Sequence, residues 1–394
     1  GDQNAAFDAS RIGPTAQYQG FGAYHKTGTS VWTLNNTTTA LTPWTLFDGS
    51  LVVSQDGSLG APAGTLTFNG GTLQLGASFD LAAGRPVVLD TDGGTIDTQA
   101  FNTTITQGIT GTGALTKLGS GMLLLNGNNS YSGATSVNAG TLAVGAPTSP
   151  TAALSGGGTV TVASGATLGG YGSVTGDVQN NGTLAAANAI AAFAAGSAGN
   201  FTVQGDVVNA GLLLLAGSRV GNTFTVAGNY VGQNATATLS TQLGGDNSPT
   251  DRIVINGGSA TGATALKIVN AGGAGGQTYA DGIQVVLATN GATTATSAFS
   301  GGSVSAGAYT YYLYRGGLNV GTQNNWYLRS RTPDTTTPPP LVVDPIVPIP
   351  PTTDPGTPIY RPEVPVYGAI PSLARELAVQ QIGTFHDRLG GQPL

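Results

Sequence analysis

The sequence predicts an all-β protein built as a right-handed parallel β-helix, a solenoid in which short strands stack from coil to coil. Short apolar runs separated by Gly, Asn and Ser fill much of the chain, as in the stretch from Gly111 to Gly145, and each run suits a strand. A Gly, a small residue and an aliphatic residue also recur together every 19 to 27 residues, which is a solenoid period. A single coil cannot bury its apolar face, so stacked coils must share one core.

The repeated form begins with a Gly turn, continues with a small residue that faces outward, and ends with an aliphatic residue that faces the core. The main occurrences are Gly49-Ser-Leu51, Gly64-Thr-Leu66, Gly71-Thr-Leu73, Gly94-Thr-Ile96, Gly113-Ala-Leu115, Gly140-Thr-Leu142, Gly158-Thr-Val160 and Gly182-Thr-Leu184. Read along Leu51, Leu73, Ile96, Leu115 and Leu142, the spacing is 22, 23, 19 and 27 residues. The segment from Leu184 to Ala195 is rich in Ala, and its propensity leaves a short helix and a loop equally open.

Composition supports an exported β-protein and argues against several functions. Only 8% of the 394 residues are charged, against about 25% in ordinary globular domains, and Gly contributes 63 residues. The net charge is −6, and the 13 Lys and Arg residues form no cluster, so we expect no nucleic-acid partner. Cysteine is absent, which excludes disulfides and thiolate metal sites within this chain. The sequence contains no run of about 20 apolar residues, so no membrane-spanning helix is predicted.

From residue 200 the spacing of the apolar runs changes, and longer strands are expected up to about Ser330. The segment from Asp251 to Ile255 is a strongly β-branched strand, and aromatic residues concentrate after Tyr309. An open coil edge would template aggregation, so a solenoid needs a closed end. We therefore interpret the aromatic cluster as a cap on the C-terminal end of the rod.

Beyond the cap, proline recurs every few residues from Thr332 to Tyr367, which predicts an extended linker without a packed core. A helix is then predicted from Pro371, at its first position, to Leu389, with Gly390 just past its end. Its apolar residues follow three- and four-residue steps, so the helix is amphipathic and should dock against a partner.

One coil carries a motif that is specific to a family. The motif is Gly113-Ala-Leu-Thr-Lys117-x-Gly119-x-Gly121-x-Leu-x-Leu125-x-Gly127-x-Asn129-x-Tyr131-x-Gly133-x-Thr135-x-Val137-x-x-Gly140-Thr-Leu142. It resembles the passenger-associated β-strand repeat of autotransporters, the type V secreted proteins of Gram-negative bacteria. Further downstream, Asn229-Tyr230, Asp251-Arg-Ile, Tyr311-Tyr-Leu313 and Asn325-Trp-Tyr-Leu328 resemble the C-terminal autochaperone region of pertactin-like passengers.

The resemblance implies a surface-exposed passenger that is exported through the periplasm to the outer membrane. It also implies a partner, the protein's own C-terminal outer-membrane β-barrel, which would follow Leu394, and an N-terminal part that would precede Gly1. Host surface or matrix molecules form a second class of expected partners. The expected division is a β-helix stalk at 1–199, an autochaperone-like cap at 200–330, a Pro-rich linker at 331–366 and an amphipathic helix at 367–394.

Residues that could support catalysis are few, and structural roles explain them better. The two histidines, His25 and His386, lie in an expected loop and on the docking helix, so neither suits a Ser-His-Asp site. Asp90 with Asp92, and Asp246 with Asp251, could form acid–base pairs, but Asp beside Gly or Asn is typical of turns. We therefore expect no catalytic, cofactor or metal site.

The residues that we do single out have structural or folding roles. They are Lys117, Tyr131, Asp251, Arg252, Tyr311, Tyr312, Trp326 and Tyr327. The first two are motif positions of one coil. For Asp251 and Arg252, a role in closing the rod is favoured over a surface ion pair, which would stabilise little. For the aromatic residues, packing in the cap is favoured over sugar binding.

The sequence predicts one function and leaves two alternatives open. The first is a non-enzymatic passenger stalk whose C-terminal cap nucleates folding during secretion. The second is an adhesin that contacts host matrix or other cells through flat β-faces rich in Thr and Asn. The third is a polysaccharide-active β-helix enzyme, which would need a cluster of carboxylates in a cleft. The 19 Asp and Glu residues are scattered along the chain, which argues against the third.

Overall fold

The computed structural model describes residues 3–332 and 356–389, and of residues 381–389 the backbone alone. The strands of the first half are β1 (Ala5–Asp8), β2 (Tyr24–Lys26), β3 (Val31–Asn35), β4 (Trp44–Leu46), β5 (Ser50–Val53), β6 (Leu66–Phe68), β7 (Thr72–Leu75), β8 (Val87–Leu89), β9 (Gly94–Asp97), β10 (Thr103–Ile105), β11 (Ile109–Gly111), β12 (Leu115–Leu118), β13 (Met122–Leu125), β14 (Asn128–Asn129), β15 (Thr135–Val137), β16 (Thr141–Val144), β17 (Ala153–Leu154), β18 (Val160–Val162), β19 (Thr167–Gly170), β20 (Ser173–Val174), β21 (Val178–Asn180) and β22 (Thr183–Ala186).

The remaining strands are β23 (Asn200–Val203), β24 (Val207–Asn209), β25 (Leu212–Leu214), β26 (Thr223–Val226), β27 (Tyr230–Thr241), β28 (Arg252–Asn256), β29 (Ser259–Asn270), β30 (Ile283–Thr289), β31 (Thr293–Thr294), β32 (Phe299–Gly301), β33 (Val304–Ala306), β34 (Tyr309–Arg315) and β35 (Trp326–Arg329). Within the described ranges, four short 3-10 helices lie at Ala9–Arg11, Asp56–Leu59, Ala187–Ala189 and Ala191–Phe193, and one α-helix, α1, spans Val364–Leu389.

The strands stack in parallel into the faces of a β-helix, which confirms the predicted fold class. One face consists of the five-stranded sheet β2-β4-β6-β8-β11 in the early coils and of a ten-stranded sheet, which begins with β14, in the later coils. The other two faces belong to one 20-stranded sheet. They are joined because the 12-residue strands β27 and β29 run through both of these faces. The buried aliphatic residues of the repeated form point into one continuous core.

The register shows which residues lie above one another in the core. Leu73 pairs with Leu51 in one neighbouring coil and with Ile96 in the other, as the spacing predicts. Beyond Ile96, the next inward residue of that row is Lys117, two residues past Leu115. Leu115 lies two residues earlier on the same face, and Leu142 lies on β16, which belongs to another face, so the spacing series leaves this row after Ile96.

The Ala-rich segment after residue 183 forms neither an α-helix nor a simple loop. Leu184 lies in β22 between Leu168 and Leu213 of the neighbouring coils, so strand pairing overrides helix propensity. Ala187 then adopts a φ of 50°, and two 3-10 turns follow. They carry Phe193 over the outer face of the rod, where its ring meets Tyr171 at 5.8 Å.

The C-terminal helix begins at Val364, seven residues before the predicted start, so Pro371 lies inside it rather than at its first position. Four of its apolar residues, spaced four, three and four apart, are more than half exposed. They are Val366, Ile370, Leu373 and Leu377. Of the predicted Pro-rich linker, residues 333–355 lie outside the described part, while Arg331 and Pro358 form an antiparallel bridge.

Candidate functional site

The parallel stack changes character at its C-terminal end, and this end is the candidate functional site. β30 is the last parallel strand of the ten-stranded sheet, and β35 pairs with it in the antiparallel direction. β34 pairs antiparallel with β35, and β33 with β34. We call β33, β34 and β35 the cap. Because these strands cover the edge of β30, the last coil does not present an open ladder of backbone groups there.

Trp326 anchors the cap in the core. It is 5% exposed, and its indole Nε1 donates a hydrogen bond of 3.0 Å to Thr294 Oγ1. Its ring packs edge-on against Phe299 at 5.6 Å, and Phe299 stacks on Tyr230 at 6.0 Å. Both the ring and its N–H therefore find partners in the core.

The tyrosines of the cap differ in their surroundings. Tyr311 is fully buried, and burial raises the pKa of its hydroxyl. That hydroxyl accepts from the Gly276 N–H at 2.7 Å and lies within 2.9 Å of the Gly244 carbonyl, so it ties two loops together. Tyr327 is 4% exposed and accepts from Asn325 Nδ2 at 3.1 Å. Tyr312 is 42% exposed and faces outward, because neighbouring residues of a strand alternate between faces.

Arg329 is a cap residue that sequence reasoning missed. Its guanidinium lies 5.7 Å from the ring centres of both Tyr314 and Tyr327, within cation–π range. Its Nε donates to the Asp281 carbonyl at 2.8 Å and its Nη2 to the Gly316 carbonyl at 2.6 Å. Burial lowers the pKa of this guanidinium. The bond to Asp281 holds the cap to a preceding loop, and the other three contacts lie within the cap and its β34–β35 connection.

Asp251 is a fully buried carboxylate held by backbone amides. Its Oδ1 accepts from the N–H groups of Gly221 and Asn222 at 2.8 Å, and its Oδ2 accepts from Ser240 N–H at 2.7 Å. Burial raises the pKa of Asp251 to about 6, and the three hydrogen bonds act in the opposite direction. Arg252 turns to the other face and donates to the Gln284 carbonyl at 3.3 Å, so the two side chains diverge.

A chain of buried polar side chains crosses successive coils, and sequence reasoning missed it too. Asn180 Nδ2 donates to Asn209 Oδ1 at 2.7 Å, and Asn209 Nδ2 donates to the Tyr230 hydroxyl at 3.1 Å. The Tyr230 hydroxyl also bonds Thr264 Oγ1 at 2.8 Å. The signal was present, because Asn180 and Asn209 both end strands of the form Val-x-Asn, at an inward position. This chain links the stalk to the coils beneath the cap.

The two motif positions of the coil at 111–145 are also buried. Lys117 Nζ donates to the carbonyls of Leu118, Gly119 and Ala139 at 2.8, 2.8 and 3.1 Å. Burial lowers the pKa of Lys117 to about 8, against the opposing influence of the Asp97 charge. The Tyr131 hydroxyl bonds Thr135 Oγ1 at 2.7 Å, and burial raises its pKa.

The residues considered for catalysis occupy structural positions. His25 is exposed on β2 and its ring lies edge-on to Phe47 at 5.3 Å. Asp90 accepts from the N–H of Thr91 in an exposed turn. Asp246 accepts from the N–H groups of residues 279, 280 and 282, whereas Asp251 accepts from those of residues 221, 222 and 240. The side chain of His386 lies outside the described residues.

Across residues 3–332 and 356–380, no group of three or more His, Asp or Glu side chains could hold a metal ion. Among the described helices, none is both long and apolar enough to cross a membrane.

Two family models match the chain at the regions just described. The autochaperone domain type 1 model matches residues 212–313, which hold Tyr230, Asp251 and the strands up to β34. The passenger-associated transport repeat model matches residues 115–144. An adhesin autotransporter of Brucella suis, BmaC, is 34% identical over 374 residues, which cover 93% of this chain. This chain belongs to the autotransporter passengers.

Other relatives agree with this membership. The Escherichia coli autotransporter adhesin AIDA-I is 38% identical over 118 residues, which are 30% of this passenger segment and 9% of the adhesin. The uncharacterised E. coli protein YdeU is 40% identical over 175 residues, which are 44% of the segment and 35% of that protein. The alignment with BmaC covers 9% of BmaC, so the segment spans only a small part of the adhesins it matches. Passengers of this family are secreted and exposed at the cell surface, in association with the outer membrane.

Proposed function

We propose that this passenger segment is a non-enzymatic stalk whose C-terminal cap promotes the folding of the coils behind it during secretion. The observation that carries the proposal is the antiparallel cap, which closes the last parallel strand and is tied by Trp326, Tyr311 and Arg329 to the strands and loops before it. The relatives named as autotransporter adhesins, BmaC and AIDA-I, support a surface role for the whole passenger.

Chain connectivity explains why the cap should form first. β33 and β34 pair residues that are close in sequence, such as Ala306 with Tyr309, and β34 and β35 pair Arg315 with Trp326. A coil of the stalk must instead close a loop of about 20 residues or more before its first parallel pair forms. Local pairing is faster than non-local pairing, so the cap can serve as the first template.

Once the cap exists, each earlier coil can add to an edge that is already folded. The chain from Thr264 through Tyr230 and Asn209 to Asn180 extends the order of the capped region into the stalk, because each hydroxyl or amide needs its partner in the next coil. Growth in this direction would draw the chain outward as apolar surface becomes buried. The exposed apolar stripe of α1 supports docking of the helix against the family's outer-membrane translocator, which we propose as the partner.

The test compares a buried cap residue with an exposed neighbour in the natural autotransporter. Trp326→Ala removes a buried ring and the bond to Thr294, a loss of about 3–5 kcal/mol. We expect it to reduce surface display and protease resistance, whereas Tyr312→Ala, at a position 42% exposed, should leave both unchanged. Refolding of the purified chain should be slowed by Trp326→Ala and little changed by Leu73→Ala in the stalk. Normal display with Trp326→Ala, or a slower refolding only with Leu73→Ala, would refute the proposal.

A second candidate function is adhesion, and one surface favours it. The outward residues of successive coils on one face form a row of hydroxyl groups at Ser50, Thr72, Thr95, Thr116, Ser136 and Thr161. Adjacent parallel strands lie about 4.8 Å apart, so the row repeats at that distance along the rod. Such a regular row could bind a host surface molecule by many weak hydrogen bonds.

Charge placed on this row provides the test. A Thr72→Asp, Thr116→Asp, Thr161→Asp variant should fold and be displayed, yet lose attachment to host cells. The matched control places Asp at Thr45, Thr67 and Thr110, which form an outward row on the five-stranded sheet. If both variants attach to host cells as well as the parent does, the proposal that this face is adhesive is wrong.

A further inference from the structure

Two of the chain's three lysines, Lys26 and Lys117, are buried in the same arrangement. Lys26 is 2% exposed, and its Nζ donates to the carbonyls of Thr27 at 3.1 Å, Gly28 at 2.6 Å and Asp48 at 3.0 Å. These acceptors lie one, two and 22 residues after the lysine. The three carbonyls that hold Lys117 lie at the same three offsets. Each ammonium therefore uses its three N–H donors fully, within one kind of carbonyl cage.

The segments around the two lysines also align in sequence. Residues 22–53 match residues 113–144 at a constant offset of 91, with no insertion or deletion. The identical positions of the first segment are Gly22, Ala23, Lys26, Gly28, Leu34, Asn35, Gly49, Leu51 and Val53. They include the lysine, the glycine two residues after it and the final Gly-x-Leu-x-Val. The first segment lies outside residues 115–144, which the transport-repeat model matches.

The backbone repeats the same geometry in both segments. β2 pairs with β4 at an offset of 20 residues, and β12 pairs with β15 at the same offset. β3 pairs with β5 at an offset of 19, as β13 does with β16. Outside the strands, the N–H of Phe47 donates to the Lys26 carbonyl at 2.9 Å, and that of Asn138 to the Lys117 carbonyl at 3.0 Å. The two segments are therefore equivalent in register as well as in sequence.

A glycine at the same place in each segment shows how tightly the cage is built. Gly49 has a φ of 62° and Gly140 a φ of 63°. A Cβ on Gly49 would collide with the carbonyl oxygens of Gly28 and Ser30, and one on Gly140 with those of the equivalent residues, Gly119 and Gly121. Both the left-handed backbone and the lack of space require glycine.

The segments differ at the corner between their strands, where each supplies one aromatic ring to the core. Tyr131 supplies it in the second segment and bonds Thr135. In the first segment the position of Tyr131 is Ala40, and the position of Thr135 is Trp44, whose ring is buried instead. The buried ring therefore comes from a different position in each segment, and this difference makes the motif hard to recognise in the first segment.

The cage joins two coils. Thr27 and Gly28 belong to the coil of Lys26, whereas Asp48 follows β4 in the next coil. Loosening this contact while the lysine stays buried would leave the ammonium without one of its three acceptors, which is strongly unfavourable. We propose that residues 22–53 form a second passenger-associated transport repeat, and that the caged lysine of each repeat is a latch that fastens its coil to the coil that follows.

The direction of the latch suits the folding order. If coils add from the C-terminal end, the Asp48 or Ala139 carbonyl is already in place when the coil with the lysine arrives. The ammonium then closes the cage in one step and opposes reopening of that coil. This use of the latch rests on the proposed stalk and cap function, but the cage and its equivalence do not.

Acylation of the purified chain tests the cage. An amine-reactive ester should modify Lys267, which is exposed, about 100-fold faster than Lys26 and Lys117 in the folded chain, and all three equally in urea. Mass spectrometry of the peptides gives the three rates from one sample. Acylation of Lys26 as fast as that of Lys267 would overturn the proposal. Because this readout uses the folded wild-type chain, it is independent of which end folds first.

Limited proteolysis tests the latch. Lys26→Met should release the coils before residue 48 and leave a protected fragment that starts near residue 53. Lys117→Met should move the start of the protected fragment to about residue 144, and the control Lys267→Met should be cleaved like the parent. If Lys26→Met and Lys117→Met are cleaved at the same site, neither lysine is a latch. A failure of the cap would instead remove the protected C-terminal fragment, which distinguishes the two proposals.

Discussion

Asp251→Asn offers a test of the buried carboxylate beneath the cap, because two opposing effects act on it. Burial of the charge favours the protonated form, and the three N–H donors from Gly221, Asn222 and Ser240 favour the ionised form. The structure indicates that burial wins and that the pKa rises from 3.8 to about 6. A shift of this size corresponds to about 3 kcal/mol between the two protonation states.

The sign of the effect on stability follows from this direction. A folded-state pKa above the unfolded value means that the folded chain binds the proton more tightly between pH 3.8 and about 6. The stabilising contribution is therefore complete below pH 3.8 and is lost as the pH rises through about 6. At pH 7 the asparagine should already cost about 1–3 kcal/mol, because its Nδ2 must face one of the backbone donors.

The assay is urea unfolding of the parent and Asp251→Asn at a series of pH values from 4 to 7, and the quantity is the difference between their free energies of unfolding. The contributions of all other carboxylates to the pH dependence cancel in this difference. We expect the parent to gain about 2–3 kcal/mol relative to the variant as the pH falls from 7 to 4. A flat difference, or one that grows with rising pH, would show that the three hydrogen bonds outweigh burial.

Asp281→Asn is the matched control with the opposite sign. Burial acts to raise the pKa of Asp281, but the hydrogen bonds from Leu318 and Asn319 and the charge of Arg329 lower it overall. Its contribution to stability is present above pH 3.8 and is lost as the pH falls further. The difference curve for this variant should therefore stay flat between pH 7 and 4.

Two further predictions concern the other buried polar contacts. Asn209→Ala should lower the free energy of unfolding, measured in urea, by about 1–3 kcal/mol. The reason is that the Asn180 amide and the Tyr230 hydroxyl each lose a buried partner. An unchanged urea midpoint of unfolding would mean that water replaces the amide. Arg329→Lys should destabilise the cap by about 1–3 kcal/mol and increase amide hydrogen exchange in β34 and β35. The reason is that an ammonium cannot bond two carbonyls, as the planar guanidinium does, while lying over Tyr327. Amide exchange rates equal to those of the wild type would refute this.

Local patterns were sufficient to predict the strands and the architecture of this passenger. The Gly-x-aliphatic form predicts a turn, an outward residue and an inward residue, and the aliphatic residues of that form are buried as expected. The β-branched run after Asp251 and the aromatic run after Tyr309 likewise form strands. These features depend on neighbours in sequence, so composition and alternation reveal them.

Other features depend on which coils meet. Leu115 and Leu142 share a sequence form but lie on different faces, and only the register shows this. The residues up to Ala186 form a strand where propensity allowed a helix, because Leu184 is paired on both sides, and Ala187 begins the 3-10 turn that follows. Tyr312 and Trp326 look alike as aromatic residues near the end of the chain, yet the first is exposed and the second is buried.

The sequence by itself determined that this protein stacks short strands into a solenoid, closes it with aromatic residues and carries an autotransporter repeat. Only the tertiary structure decided how its few charged and amide side chains are used. Lys117 is caged by carbonyls, Asp251 by amides, and Asn209 by side chains of adjacent coils. The physical reason is that a buried polar atom must find its partner across the coil interface, and residues about 20 to 30 positions apart in sequence meet only after the coils have stacked.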